Sequence, residues 1–98
     1  MRFKVEYLSI ADRDILAISD ALAEYPNKAK RIFKEMEEKL NLLEDMPYMW
    51  PTYQLKPEYR RMVLEDHLLF YIVDDVEYRV KVYRILYNKM DIPKLMTR

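Results

Sequence analysis

Tyr59-Arg60-Arg61-Met62-Val63-Leu64, His67-Leu68-Leu69-Phe70-Tyr71-Ile72-Val73 and Tyr78-Arg79-Val80-Lys81-Val82-Tyr83-Arg84-Ile85-Leu86-Tyr87 are three β-rich runs in the second half of a 98-residue chain. Aromatic and β-branched residues dominate them, as a pleated, half-buried surface requires. Glu65-Asp66 and Asp74-Asp75 form the turns between them. The chain has no glycine, so aspartate is expected to take any positive φ these turns need. Sequential strands joined by short turns pair antiparallel, which predicts a meander.

Upstream, Phe3-Lys4-Val5-Glu6-Tyr7 alternates apolar and polar residues with the two-residue period of a strand. Ser9 reads as a helix N-cap with Asp12 at N3, a capping box with aspartate in place of glutamate. Ala11, Ile15, Ile18, Leu22 and Tyr25 then fall on one helical stripe. Pro26 ends that helix and opens the next. Ala29, Ile32, Phe33, Met36, Leu40 and Leu43 form the second stripe, and Pro47 ends it. Two amphipathic helices joined at one proline read as an antiparallel hairpin that a sheet or another helix must cover. Residues 46–58 hold three prolines, three aromatics and two methionines and read as an apolar connecting loop. The expected fold is α+β: an N-terminal strand, a two-helix hairpin on one sheet face, an antiparallel meander and a short tail, in one domain over 1–98. Ile92, Leu95 and Met96 give that tail a helical spacing by which it docks.

Composition excludes several classes. Without cysteine there is no disulfide scaffold, iron–sulfur cluster, thiolate zinc site or cysteine nucleophile, which fits a reducing, cytoplasmic setting. Without glycine there is no P-loop or dinucleotide fingerprint. The one histidine rules out a multi-histidine metal site. The N-terminus lacks an apolar signal core, and the longest apolar run, Leu68 to Val73, is too short to span a membrane. The 17 basic and 17 acidic residues cancel, unlike the strongly basic balance usual for nucleic-acid binding. From residue 78 onward, however, six basic residues face one acid, Asp91. That stretch reads as a basic patch suited to an acidic partner.

The three strand runs, the segment Asn88-Lys89-Met90-Asp91, the helical hairpin and the overall length together resemble the RelE/ParE family of toxins from type II toxin–antitoxin modules of bacteria and archaea. The resemblance covers essentially the whole chain. It implies a growth-inhibiting toxin neutralised by a cognate antitoxin, with no cofactor, no metal and no membrane. It leaves the target open: RelE-like members cut mRNA in the ribosomal A site, whereas ParE-like members inhibit DNA gyrase.

Metal-independent RNA cleavage needs a base for the 2′-hydroxyl, cations at the phosphate and an acid for the leaving oxygen. By resemblance, Arg60 stands at a basic family position, Tyr87 where many members have histidine, and Lys89 in the basic segment. These are the catalytic candidates if the chain is a nuclease. Leu68 and Met90 stand where cutting members commonly carry arginine, which moves the balance toward the ParE-like end. A degenerate toxin retaining only antitoxin binding is the third reading. Leu68, Phe70 and Ile72 share one strand face, and with Trp50 and Arg84 they are the partner-binding candidates. Arg84 shares parity with Val80 and Val82 and also suits a structural pairing with an acid such as Asp91. Tyr71 alternates with Leu69 and Val73 as a core residue. His67 reads as a surface histidine at a turn.

Overall fold

The computed structural model describes residues 2–97. Strand β1 (Lys4–Tyr7) leads into helices α1 (Ser9–Ala21) and α2 (Pro26–Leu43). Strands β2 (Thr52–Tyr53), β3 (Lys56–Leu64), β4 (His67–Asp74) and β5 (Arg79–Tyr87) follow, and the one-turn helix α3 (Ile92–Leu95) ends the fold. The open sheet has the order β1-β5-β4-β3-β2. β1 runs parallel to β5, and every other pair is antiparallel. The expected α+β architecture is present. Among the described residues no helix is long and apolar enough to cross a membrane.

The sheet carries a cluster of buried side chains on each face. Ala11 and Ile18 of α1 with Ile32, Met36, Leu40 and Leu43 of α2 pack on Met62, Leu64, Leu69, Tyr71, Val80, Val82 and Ile85. The helical stripes read from the sequence thus face the sheet, with Ile15, Leu22 and Phe33 partly buried against this cluster, while Tyr25 is exposed. On the opposite face Phe70, Tyr59, Tyr83 and Leu86 lie with Ile92 and Met96 of the tail. Two rings of this second cluster, Tyr59 and Tyr83, stack with centroids 4.9 Å apart.

Local departures from the expected pattern have identifiable causes. Ser9 is inside α1, and Leu8 occupies the N-cap position with no side-chain cap. Leu8 N–H is bonded to Val82 O at 3.0 Å, so pairing with β5 holds residue 8 extended and the helix starts directly after it. Positive φ falls on Glu65 (54°) and Tyr78 (56°), not on the aspartates. Asp74 instead accepts the Val76 and Glu77 N–H groups at 3.0 and 3.1 Å, an Asx turn. The segment expected as loop contains β2, which forms a hairpin with the start of β3.

The largest departure is a bulge in β5. Phe70 pairs with Arg84, but the next residue, Tyr71, pairs with Val82, leaving Tyr83 unopposed. The extra residue inverts the alternation. Ile85 therefore joins Val80 and Val82 on the helical face, while Tyr83 and Leu86 face the tail.

Tyr71 is fully buried and donates its hydroxyl to Pro47 O at 2.8 Å, tying the loop after α2 to the sheet. Burial pushes its pKa up from 10.0 to about 12. Folding therefore favours the neutral phenol, and the associated stability is complete below the ordinary pKa and lost as pH rises from about 10 to about 12. Two units correspond to roughly 2–3 kcal/mol. Tyr71→Phe is expected to lose about 1 kcal/mol at neutral pH from the missing hydrogen bond. It should also unfold less steeply than the parent between pH 10 and 12. Melting curves of both proteins across that range check this, and parallel alkaline losses would contradict it.

Candidate functional site

One groove stands out, of about 420 Å³, where the C-terminal half of α1 meets the end of β5. Its floor is apolar: Ala17, Ile18, Ala21 and Leu22 from α1, Ile85 and Leu86 from β5, then Met90 and Leu95. Ala17 and Ala21 lie four apart, so they share a helix face and leave room above it. Ion-paired clusters stand at its rim.

At one, Lys28 Nζ bonds Asp66 Oδ2 at 2.6 Å, and Asp66 Oδ1 lies 2.9 Å from His67 Nδ1. The Lys28 hydrogen bond, then that of His67, holds the Asp66 carboxyl below its ordinary range, and Lys28 is raised in turn. His67 is buried, contrary to the surface position expected for it. Its ring lies 5.6 Å from that of Tyr87, its partner across the strands.

At the other, Arg84 donates from Nε and Nη2 to the two Asp14 oxygens at 2.8 and 3.0 Å. Asp14 Oδ2 also accepts Ile85 N–H at 2.9 Å, and Arg84 Nη1 reaches Leu95 O at 3.3 Å. Asp14 raises the Arg84 pKa further above its already high value. The cation thus fastens α1, β5 and α3 together. Its acid is Asp14 rather than Asp91, whose side chain caps α3 instead. The bulge takes Arg84 out of the parity of Val80 and Val82.

The other sequence candidates are spread over the sheet. Arg60 lies on β3 opposite Tyr71, on the helical side. Its guanidinium donates to Trp50 O at 2.7 Å and Tyr48 O at 3.3 Å, and lies 4.9 Å from the Tyr48 ring centre. Tyr87 is exposed beside the groove, and Lys89 is exposed in the turn after β5. Arg60 is four residues along β3 from Leu64, the residue that shares a rung with His67 and Tyr87. At ~3.3 Å per residue and ~4.8 Å per strand spacing, that separates the Arg60 and Tyr87 backbones by roughly 16 Å. Arg60 and Tyr87 thus stand well apart on the sheet, with the Arg60 guanidinium turned to the loop carbonyls of Tyr48 and Trp50.

Phe70 is completely buried, in contact with the Tyr53 ring at 5.1 Å, so the expected apolar patch loses its central member. The tail and Tyr53 cover it, because α3 turns back over this face. Leu68 and Ile72 remain partly exposed. Trp50 packs on the helical-side cluster beneath Lys39 Nζ, 4.9 Å from its ring centre, and so lies across the sheet from that patch. The basic stretch is also partly neutralised, Lys81 by Asp74 at 3.3 Å and Arg84 by Asp14. Arg79, Lys89 and Lys94 make no ion pair among the described residues, and Arg98 lies outside them.

A family model described as the ParE toxin of the type II toxin–antitoxin system parDE matches residues 5–92. The chain belongs to this toxin family. Among solved structures, a chain of the chromosomal ParDE toxin–antitoxin system of P. aeruginosa superposes with a TM-score of 0.70 at 19% identity, covering 88% of this chain and 96% of that one. A chain of the RelBE2 toxin–antitoxin complex of Mycobacterium tuberculosis gives 0.59 at 18% identity, covering 89% and 99%. No curated protein matches the sequence.

Proposed function

We propose that this ParE-type toxin acts by binding DNA gyrase rather than by cutting RNA, and that an antitoxin segment holds it inactive. The observation that carries this reading is the separation of Arg60 from Tyr87, with the Arg60 guanidinium held by loop carbonyls. Cleavage without a metal depends on preorganised cations at the phosphate, and losing one such donor typically costs about 10²–10³ in rate. Arg60 is occupied by two loop carbonyls, and Leu68 adds no charge where cutting relatives commonly carry arginine. One of the similar structures is a toxin–antitoxin complex and another belongs to a toxin–antitoxin system, which supports an antitoxin partner here. The apolar groove, with Leu68 and Ile72 on the far face, offers surface to a segment that folds as it binds. Arg79, Lys89 and Lys94 would steer an acidic partner, with association that weakens as salt rises.

The test is a supercoiling assay with purified gyrase alongside a translated mRNA. Inhibition of supercoiling with intact mRNA is expected. Cleavage of the message with gyrase unaffected would overturn the reading. Arg60→Ala should keep gyrase inhibition while losing about 1–2 kcal/mol of stability, several degrees of Tm, from its freed carbonyls. Selective loss of toxicity at unchanged Tm would instead restore Arg60 as a catalytic residue.

A further inference from the structure

His67 is the only histidine of the chain. Its side chain is 8% exposed and lines the apolar groove. Nδ1 lies 2.9 Å from Asp66 Oδ1. The Lys28 hydrogen bond holds the Asp66 carboxyl below its ordinary range, so the carboxylate has no proton to give. The bond is therefore donated by Nδ1–H, which fixes the tautomer of the neutral ring. Nε2 is then a bare acceptor, and it makes no hydrogen bond among the described residues.

The groups packed around the ring do not donate to it. α1 lines the groove with Ala17, Ile18, Ala21 and Leu22, all apolar. Lys28, from α2, is committed to Asp66. Tyr87, from β5, meets the imidazole ring to ring, with centres 5.6 Å apart. At the other rim Arg84 and Asp14 close on each other. Ligand clefts are mostly apolar, with a few polar groups that fix orientation. Here the polar point at this end is a single lone pair, held by a ring that cannot turn without losing Asp66.

We propose that the groove receives an apolar side chain of the antitoxin segment that ends in one hydrogen-bond donor, and that this donor bonds His67 Nε2. This rests on the reading above that an antitoxin segment holds the toxin inactive. A purely aliphatic occupant would leave Nε2 buried without a partner. Asp66 is a positioning residue, acting through the tautomer of the ring. Recognition also requires the neutral ring. Protonation makes Nε2 a donor and sets a cation beneath the occupant, so binding weakens as the pH falls through the titration of the ring.

The probes are indole, a donor-only ring, and benzothiophene, its sulfur isostere with no donor. Each is titrated into the full chain carrying isotope-labelled histidine and followed by NMR. Because there is one histidine, the two ring-nitrogen signals belong to His67. In the neutral ring they should place the proton on Nδ1, and indole should move the Nε2 signal. Indole should bind about three- to tenfold more tightly than benzothiophene, the worth of one hydrogen bond. In acid, once the signals show the ring protonated, that preference should disappear. His67→Phe should bind benzothiophene and show no preference, with its Tm reporting that it folds. Ala21→Leu, at an exposed position on the groove floor, should block both probes without changing the tautomer, and it serves if His67→Phe does not fold. A neutral ring protonated on Nε2 would overturn the proposal. So would equal affinity for the two probes, or indole that leaves the Nε2 signal unmoved. An antitoxin complex whose ring signals match those of the free chain would also sink it, while leaving the antitoxin reading intact. Gyrase inhibition is measured without these probes and stands or falls separately.

Discussion

Asp14→Ala is expected to destabilise the protein by about 3–5 kcal/mol, the loss typical when one partner of a buried ion pair is removed. The Arg84 and Asp14 side chains are only 14% and 12% exposed. Removing the carboxylate strands the guanidinium between α1 and the sheet and leaves Ile85 N–H without its acceptor. Against a total stability of about 5–15 kcal/mol for a typical domain, that is a large fraction, and a fall in Tm of about 15 °C or more follows from the size scaling. Replacing both partners, Asp14→Leu with Arg84→Met, should lose less than Asp14→Ala alone, because no charge is then left buried. Thermal melts of the two variants and the parent decide it. A shift of only a degree or two in Asp14→Ala would show that the pair is not anchoring these elements.

Phe70→Ala should cost a comparable amount, about 3–5 kcal/mol, through transfer and cavity effects together. The ring has no exposed surface and lies among Tyr53, Tyr59, Tyr83, Leu86, Ile92 and Met96. In urea the midpoint should fall sharply with little change in slope. Any loss of toxicity in this variant would therefore report unfolding and not a lost partner contact. Leu68→Ala and Ile72→Ala, on the same face but partly exposed, are the variants that separate the two effects. A Phe70→Ala protein as stable as the parent would mean that the tail does not close over this face.

Features written in local patterns were legible in the sequence. The two-residue period of β1, the helical stripes of α1 and α2, the prolines at 26 and 47 and the three strand runs all survive in the structure, because burial of one face depends mainly on spacing. What was hidden depends on contacts distant in sequence. Asp14 is the acid for Arg84 across 70 positions, and Asp91, closer along the chain, was the more visible choice. The bulge at Tyr83 leaves no composition signal, yet it redirects every residue from Arg84 onward. Leu8 replaces Ser9 as the cap because its peptide group belongs to a strand pairing. The Lys28–Asp66–His67 cluster at the groove was missed for the same reason: Lys28 opens a helix that only the fold brings to the β3–β4 turn. The step of three from Val82 to Ile85, both strongly apolar, where strand alternation allows only even steps, was the available hint of the bulge.

The parallel pairing of β1 with β5 also governs when the chain can fold. Residues 4–7 find their strand partners only at 79–82, and α1 and α2 bury their stripes on Met62, Leu64, Leu69, Tyr71, Val80, Val82 and Ile85. During synthesis the first half therefore emerges with two apolar stripes and no sheet to receive them. Native structure waits for the last strand to leave the ribosome, and the wide separation of its contacts makes the closing step slow. Until then the nascent toxin is an unfolded chain with its hydrophobic faces open to chaperones and proteases.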